Sequence, residues 1–274
     1  MQTPEPYQPA SIYAPHGDDG AVTPRVFIAP QRYIQGPGVL DSIGRYLTLV
    51  NVRRVAILIS ERGRASEGPR LLSSLESENI ESVLCRFGGE TSLEEIEAHQ
   101  AELDGRVDCL MAVGGGKCVD AGKSIAFRLG VPVVIVPTLA SNDAPCSAAS
   151  VLYSPSGVYS HFEFVPQSPA LVVVDTGIVA AAPERYLAAG MGDAMATWYE
   201  ARVCLNNPAG FTPLGARPTL ASCALGEVCA KTLYEQGEEA LRAVAAGEVD
   251  PALERVVEAN TLLSGIGFES GGIA

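Results

Sequence analysis

Five short apolar runs constrain this chain more than any other feature. They are RVAILIS (54–60), IESVLCRF (80–87), RVDCLMAV (106–113), VPVVIVP (131–137) and ALVVVD (170–175). Each is β-branched and nearly continuous in its apolar character. Strands of that kind are covered on both faces, as in parallel sheets. Helical patterns separate the first four. SLEEIEAHQAELD (92–104) opens with Ser92 and Glu95 at capping-box spacing. KCVDAGKSIAFRLG (117–130) puts Cys118, Ala121, Gly122, Ile125 and Leu129 on one stripe and closes on a glycine suited to a helix C-terminus. The alternation predicts an α/β fold with a parallel sheet and crossover helices.

Past residue 177 the texture changes. Three segments, 183–205, 219–247 and 252–270, carry helical periodicity and no strand signal. The first 24 residues hold five prolines and few apolar anchors, which predicts a flexible tail. The organisation read from the sequence is therefore a tail over 1–24, an α/β domain over 25–177 and an α-helical domain over 178–274.

Composition removes several classes of function. The net charge is −13 and no basic patch stands against it, so nucleic acid and anionic membranes are not expected partners. No apolar run reaches the roughly 18–20 residues of a membrane helix, and no signal-peptide pattern opens the chain. The seven cysteines, at 85, 109, 118, 146, 204, 223 and 229, show no CxxC spacing. Buried, reduced thiols in a cytoplasmic protein are the expectation.

The chemistry-bearing segment is VGGGKCVDAGKS (113–124). Its Gly122-Lys123-Ser124 imitates the end of a phosphate-binding P-loop. That motif requires a glycine at 117, where this chain has Lys117. Gly122 and Lys123 also fall inside the helical stripe, whereas a phosphate needs the free N–H groups of a first turn. The better-placed candidates are Gly114, Gly115 and Gly116 at the mouth of the helix, with Lys117 as a cationic donor. A tight strand-to-helix turn with no ligand is the other reading of three adjacent glycines. The next strand leads into PTLASNDAPCSAASVLY (137–153), which offers Thr138, Ser141, Asn142, Asp143 and Ser147. In a parallel sheet this loop leaves from the same edge as the glycines, where ligands of such sheets bind.

Taken with GMGDAMATWYEAR (190–202), YIQGPGVLDSIGRYL (33–47), FGGETS (87–92) and EANTLLSGIGFESGG (258–272), the two loops resemble the metal-dependent, iron-type alcohol dehydrogenase family, at the level of its glycerol dehydrogenase subfamily. The resemblance implies a Rossmann-like NAD-binding domain followed by an all-α metal-binding domain. It implies that Gly115, Gly116 and Lys117 hold the pyrophosphate of NAD. Thr138, Ser141, Ser147, Ala149 and Tyr153 would line the rest of the dinucleotide site. Asp143 would bind substrate hydroxyls as the catalytic residue, and Asp193 would be a metal ligand. The implied activity is oxidation of glycerol, or a related small vicinal diol, by metal-assisted hydride transfer, in a homo-oligomer when full-length. Zn²⁺ fits better than Fe²⁺, although both accept Asp and His.

Two departures stand out. After RVAILIS the family often has an Asp for the adenosine ribose, and this chain has Ser60 and then Glu61. The family's metal site also uses two histidines. The three present, His16, His99 and His161, do not match them. His99 reads as an exposed helix residue and His161 as part of a polar hairpin. The resemblance places the histidine ligands beyond Ala274, so an incomplete helical domain is expected. One carboxylate does not hold Zn²⁺ usefully, and a cofactor-binding chain without turnover is the alternative. A lyase of the same fold, similar to dehydroquinate synthase, is disfavoured because the 140–150 loop carries no Lys or Arg for a charged substrate. Glycerol-1-phosphate dehydrogenases are disfavoured on the same ground.

Overall fold

The computed structural model describes residues 6–13 and 22–272. Of the expected tail, residues 1–5 and 14–21, including His16, lie outside the described residues. Pro9–Tyr13 forms a short helix, α1, where the proline-rich composition predicted only flexible chain.

Among the described residues eight strands are present: β1 (Tyr33–Gly36), β2 (Arg54–Ile59), β3 (Glu81–Arg86), β4 (Cys109–Gly114), β5 (Val133–Pro137), β6 (Ala149–Tyr153), β7 (Tyr159–Phe164) and β8 (Leu171–Asp175). Between them run α2 (Ile43–Leu47), α3 (Glu61–Ser66), α4 (Gly68–Ser77), α5 (Leu93–Leu103), α6 (Gly116–Leu129) and, after β8, α7 (Thr176–Ala180). The remainder is helical: α8 (Glu184–Asn206), α9 (Leu220–Ala246), α10 (Pro251–Glu258), a π-turn over Ala259–Leu263, and α11 (Ser264–Gly271).

The chain divides into two compact units. Of the described residues, the first contains 6, 30–139 and 149–179, and the second contains 7–13, 22–29, 140–148 and 180–272. The segment 140–148 therefore clusters with the helices, although the sequence reading placed it inside the α/β domain. Its backbone is bonded to helical residues, as described below.

In the first unit six strands form one parallel sheet in the order β1-β8-β5-β4-β2-β3. All five apolar runs are in it. β2, β4, β5 and β8 are buried almost throughout, which is why their residues do not alternate. Leu40, Ile43, Leu71, Leu75, Ile57, Ile59, Met111, Val113, Val134 and Val173 form the core on one face. β4 starts three residues later than the apolar pattern, because Asp108 is taken up capping the adjacent strand. Its carboxylate accepts the Arg54 N–H at 3.0 Å and the Arg54 guanidinium at 2.6 Å.

Helix ends follow the sequence signals. Ser92 accepts the Glu95 N–H at 3.2 Å at the start of α5. The return half of that capping box is replaced, since Glu95 accepts the Gly88 N–H at 2.6 Å. Gly130 closes α6 at φ +66°, a conformation that favours glycine. Three strands lie outside the five apolar runs. β1 is only four residues long and pairs with β8 at the sheet edge. β6 joins β7 in an antiparallel hairpin separate from the main sheet.

In the second unit α8 and α9 are long, and α9 carries a reciprocal cap between Thr219 and Ser222. No helix among the described residues is long and apolar enough to cross a membrane.

All seven cysteines are buried and none is in a disulfide. Burial pushes the thiols of Cys109, Cys118 and Cys229 up to about 12 and that of Cys85 to about 11. A thiol so far from ionisation is a poor nucleophile. Titration with a disulfide reagent is expected to label almost none of the cysteines in native buffer and all seven in denaturant. Rapid native labelling of several would contradict this packing.

Candidate functional site

The sheet order defines where a ligand belongs. From β2 the chain moves outward to β3, then crosses back over β2 to β4, β5 and β8. The order reverses between β2 and β4, and open α/β sheets bind ligands outside the carboxyl ends of strands at that point. The carboxyl ends there are Ile59 and Gly114.

Gly114 leads directly into the helix. Gly115 is the N-cap of α6 in an extended conformation with no side-chain cap, and the helix begins at Gly116. The first N–H groups of a helix have no intrahelical partner. No side chain caps them here, and they stand at the positive end of a 14-residue helix. Glycine is required at 114 for steric reasons, and a side chain at 115 would press on a neighbour. A Cβ on Gly114 would stand 2.7 Å from Cys118 Cβ, and one on Gly115 would stand 3.2 Å from Leu139 Cδ1. Thr138 follows β5 beside this turn, its N–H bonded to the Gly114 carbonyl at 3.0 Å.

Lys117 projects from the first turn of α6 and is exposed. Its Nζ lies 2.6 Å from Glu90 Oε2 and 5.1 Å from the centroid of the Tyr153 ring. Thr91 ties the group together: its hydroxyl donates to the Lys117 carbonyl at 2.8 Å, and its carbonyl accepts the Tyr153 N–H at 2.9 Å. Lys117 and Tyr153, paired by the sequence reading, are neighbours in space. Glu90 was not anticipated, because an acidic residue in a glycine-rich turn carries no spacing signal.

Further along α6 lies chemistry that no local pattern announces. Lys123 and Ser124, the end of the false P-loop, are fully buried. Lys123 Nζ lies 2.9 Å from Asp120 Oδ1 and donates to the Ala149 carbonyl. Asp120 Oδ2 accepts the Val151 N–H at 3.1 Å, and its carbonyl accepts the Ser150 hydroxyl at 3.0 Å. Burial raises the Asp120 carboxyl, and Lys123 and the Val151 N–H oppose that rise. Ser124 and Arg128 both bond Glu163 on β7, at 2.5 Å and 2.7–2.9 Å. Buried charges thus pin the β6–β7 hairpin to α6, and this places Ala149 and Tyr153 along the same helix as the glycine turn.

The remaining predicted residues belong to the second unit. Ser141, Asn142 and Asp143 are half-buried, and Ser147 is buried with its hydroxyl 3.3 Å from the Ala144 carbonyl. The Asp143 N–H donates to Asp193 Oδ2 at 3.1 Å. Asp193 stands in the middle of α8, not in a first turn, because the helix begins at Glu184. It keeps solvent access, yet the chain around it pushes its carboxyl up, against the lowering effect of the Asp143 N–H. Glu200, two turns further along, is also raised, by burial first and by the Asp193 charge second.

Among the described residues no group of three His, Cys, Asp or Glu side chains could hold a metal ion. Asp193 is joined by no histidine. His161 is exposed on β7 beside the Ser160 hydroxyl. His99 is not the exposed helix residue expected: its side chain is largely covered, with Nε2 3.3 Å from Glu95 Oε1.

These features define an open parallel α/β sheet with a glycine turn at its switch point in one unit, and an α-helical second unit. The profile of the iron-containing alcohol dehydrogenase family matches residues 30–176. A glycerol dehydrogenase of Thermotoga maritima is 44% identical over 249 residues, which are 90% of this chain and 67% of that protein. A probable glycerol dehydrogenase of Sinorhizobium meliloti superposes with a TM-score of 0.82 at 40% identity, covering 91% of this chain and 68% of that one. Glycerol dehydrogenase of Schizosaccharomyces pombe superposes with a TM-score of 0.87 at 32% identity, covering 91% and 63%. The chain belongs to the iron-containing alcohol dehydrogenase family, a family of oxidoreductases. It spans about two thirds of the length of these relatives.

The buried pair in α6 is testable. Asp120→Ala leaves Lys123 buried without its carboxylate, and breaking a buried pair this way costs about 3–5 kcal/mol. Urea unfolding should show a loss of that size. A loss below about 1 kcal/mol, the scale of a surface pair, would contradict the assignment.

Proposed function

We propose that this chain carries the dinucleotide-binding part of an NAD-dependent polyol dehydrogenase acting on glycerol or a related vicinal diol. The observation that carries the reading is the three-glycine turn, Gly114 to Gly116, leading into Lys117 at the point where the sheet order reverses. A pyrophosphate needs close backbone approach, free N–H groups and positive charge, and these residues supply all three. Gly115, Gly116 and Lys117 would hold the phosphates. Thr138, Ser141, Ser147, Ala149 and Tyr153 would line the rest of the cofactor.

Bound NAD⁺ supplies the acceptor for a hydride leaving the carbinol carbon. Asp143 would accept hydrogen bonds from the diol hydroxyls and so orient that carbon. The donor set for a divalent ion is incomplete among the described residues, with Asp193 as its one candidate, so no step is assigned to a metal. The names of the relatives support glycerol as the substrate. The absence of Lys and Arg from the 140–150 loop supports an uncharged diol over a phosphorylated one.

Titration of NADH by fluorescence tests the reading. Saturable binding at one site per chain is expected, with affinity unchanged by a chelator. Lys117→Ala removes a charge-assisted contact worth about 1.5–3 kcal/mol and should weaken binding by about 10- to 100-fold. Absence of saturable binding, or an unchanged affinity in Lys117→Ala, would overturn it. Glycerol and propanediol should be oxidised in preference to mono-alcohols wherever turnover is measurable.

A further inference from the structure

The loop Ala140–Ala148 holds only one short turn, Ala144–Cys146, so most of its backbone groups need partners from outside it. Two side chains from the C-terminal helical stretch of the same unit meet its ends. Asn260, in the π-turn after α10, is wholly buried. Its Nδ2 donates to the Ala140 carbonyl at 2.9 Å and to the Leu187 carbonyl at 3.2 Å. Two carbonyls facing one amide nitrogen settle the orientation of the carboxamide, since the flipped form would set oxygen against oxygen. Its Oδ1 then has no hydrogen-bond partner. At the other end Glu269 of α11, also wholly buried, accepts the Ala148 N–H with both carboxylate oxygens at 2.9 Å.

Both placements are costly. A buried carboxylate gives up hydration worth several kcal/mol, and an unpaired amide oxygen adds to the deficit. Apolar side chains would pack the same helices at lower cost. The helices are also shaped to receive the loop. A Cβ on Gly190 would collide with the Ala140 carbonyl and stand 2.6 Å from Asn260 Nδ2. One on Gly265 would stand 2.9 Å from both the Asp143 carbonyl and Cys146 Cβ.

We propose that Asn260 and Glu269 are positioning residues that set the geometry of the Ala140–Ala148 loop, so that Ser141, Asp143 and Ser147 meet the nicotinamide end of the cofactor and the diol. This rests on the reading of that loop as cofactor- and substrate-lining. The diol must lie against the nicotinamide, so the loop bearing Asp143 serves that end, and the glycine turn serves the phosphates. Positioning residues should therefore act on one half of the dinucleotide.

The test compares NADH with ADP, which carries the phosphates and lacks the nicotinamide half. In Asn260→Ala and Glu269→Ala, NADH affinity should fall by tenfold or more while ADP affinity stays within twofold of wild type. Glu269→Gln keeps an oxygen for the Ala148 N–H and should restore most of the NADH affinity. A parallel loss of NADH and ADP, or unchanged NADH affinity, would overturn the proposal. Should the alanine variants fail to fold, amide exchange in the wild-type chain decides: Ala148, whose N–H Glu269 holds, must exchange as slowly as core amides, and fast exchange there would overturn the proposal. A wild-type chain that binds neither ligand sinks the cofactor reading instead, which keeps the two failures distinct.

Discussion

The passage of β4 into α6 without an intervening side chain is the constraint on which the site depends. Gly114 ends a fully buried strand, Gly115 caps the helix with bare backbone, and Gly116 begins it. Any Cβ at the first of these would press on Cys118, which is itself packed beneath the turn. The turn can therefore be tight only if it is glycine, and only a tight turn leaves the helix N-terminus open at the sheet edge. The surrounding residues elaborate this geometry. Thr138 borders it through the Gly114 carbonyl, and Lys117 adds charge held between Glu90 and the Tyr153 ring.

Electrostatics inside the first unit serve the same helix in a second way. Asp120 and Lys123 pair within α6 and bind the backbone of β6, while Arg128 and Ser124 grip Glu163 of β7. Buried ion pairs add little net stability over a well-packed apolar equivalent, but they specify geometry because a misplaced partner leaves a bare charge. Here they specify which strand lies along α6, and hence where Ala149 and Tyr153 stand.

Much of the fold was legible in the sequence, for a physical reason. A strand covered on both faces must be apolar throughout, so RVAILIS and ALVVVD announce themselves. β1 did not, because four half-buried residues at a sheet edge need no such pattern. The site was legible where chemistry forces a residue type, as at Gly114–Gly116. It was illegible where a partner is distant in the chain. Nothing near Lys123 says that Ala149 will cover it, and nothing near Glu269 says that Ala148 will reach it. Gly190 is illegible for the same reason: it admits the Ala140 carbonyl in the middle of α8, and nothing near it in the chain announces that neighbour.

The central claim is that a dinucleotide's phosphates rest on the β4–α6 turn. The most direct measurement is a crystal structure of this chain grown with NADH. The account predicts pyrophosphate oxygens within hydrogen-bonding distance of the backbone N–H groups at Gly116 and Lys117, with Lys123 and Ser124 still buried against β6 and β7. Phosphate density at any other place, or an empty turn beside a cofactor bound elsewhere, would contradict it.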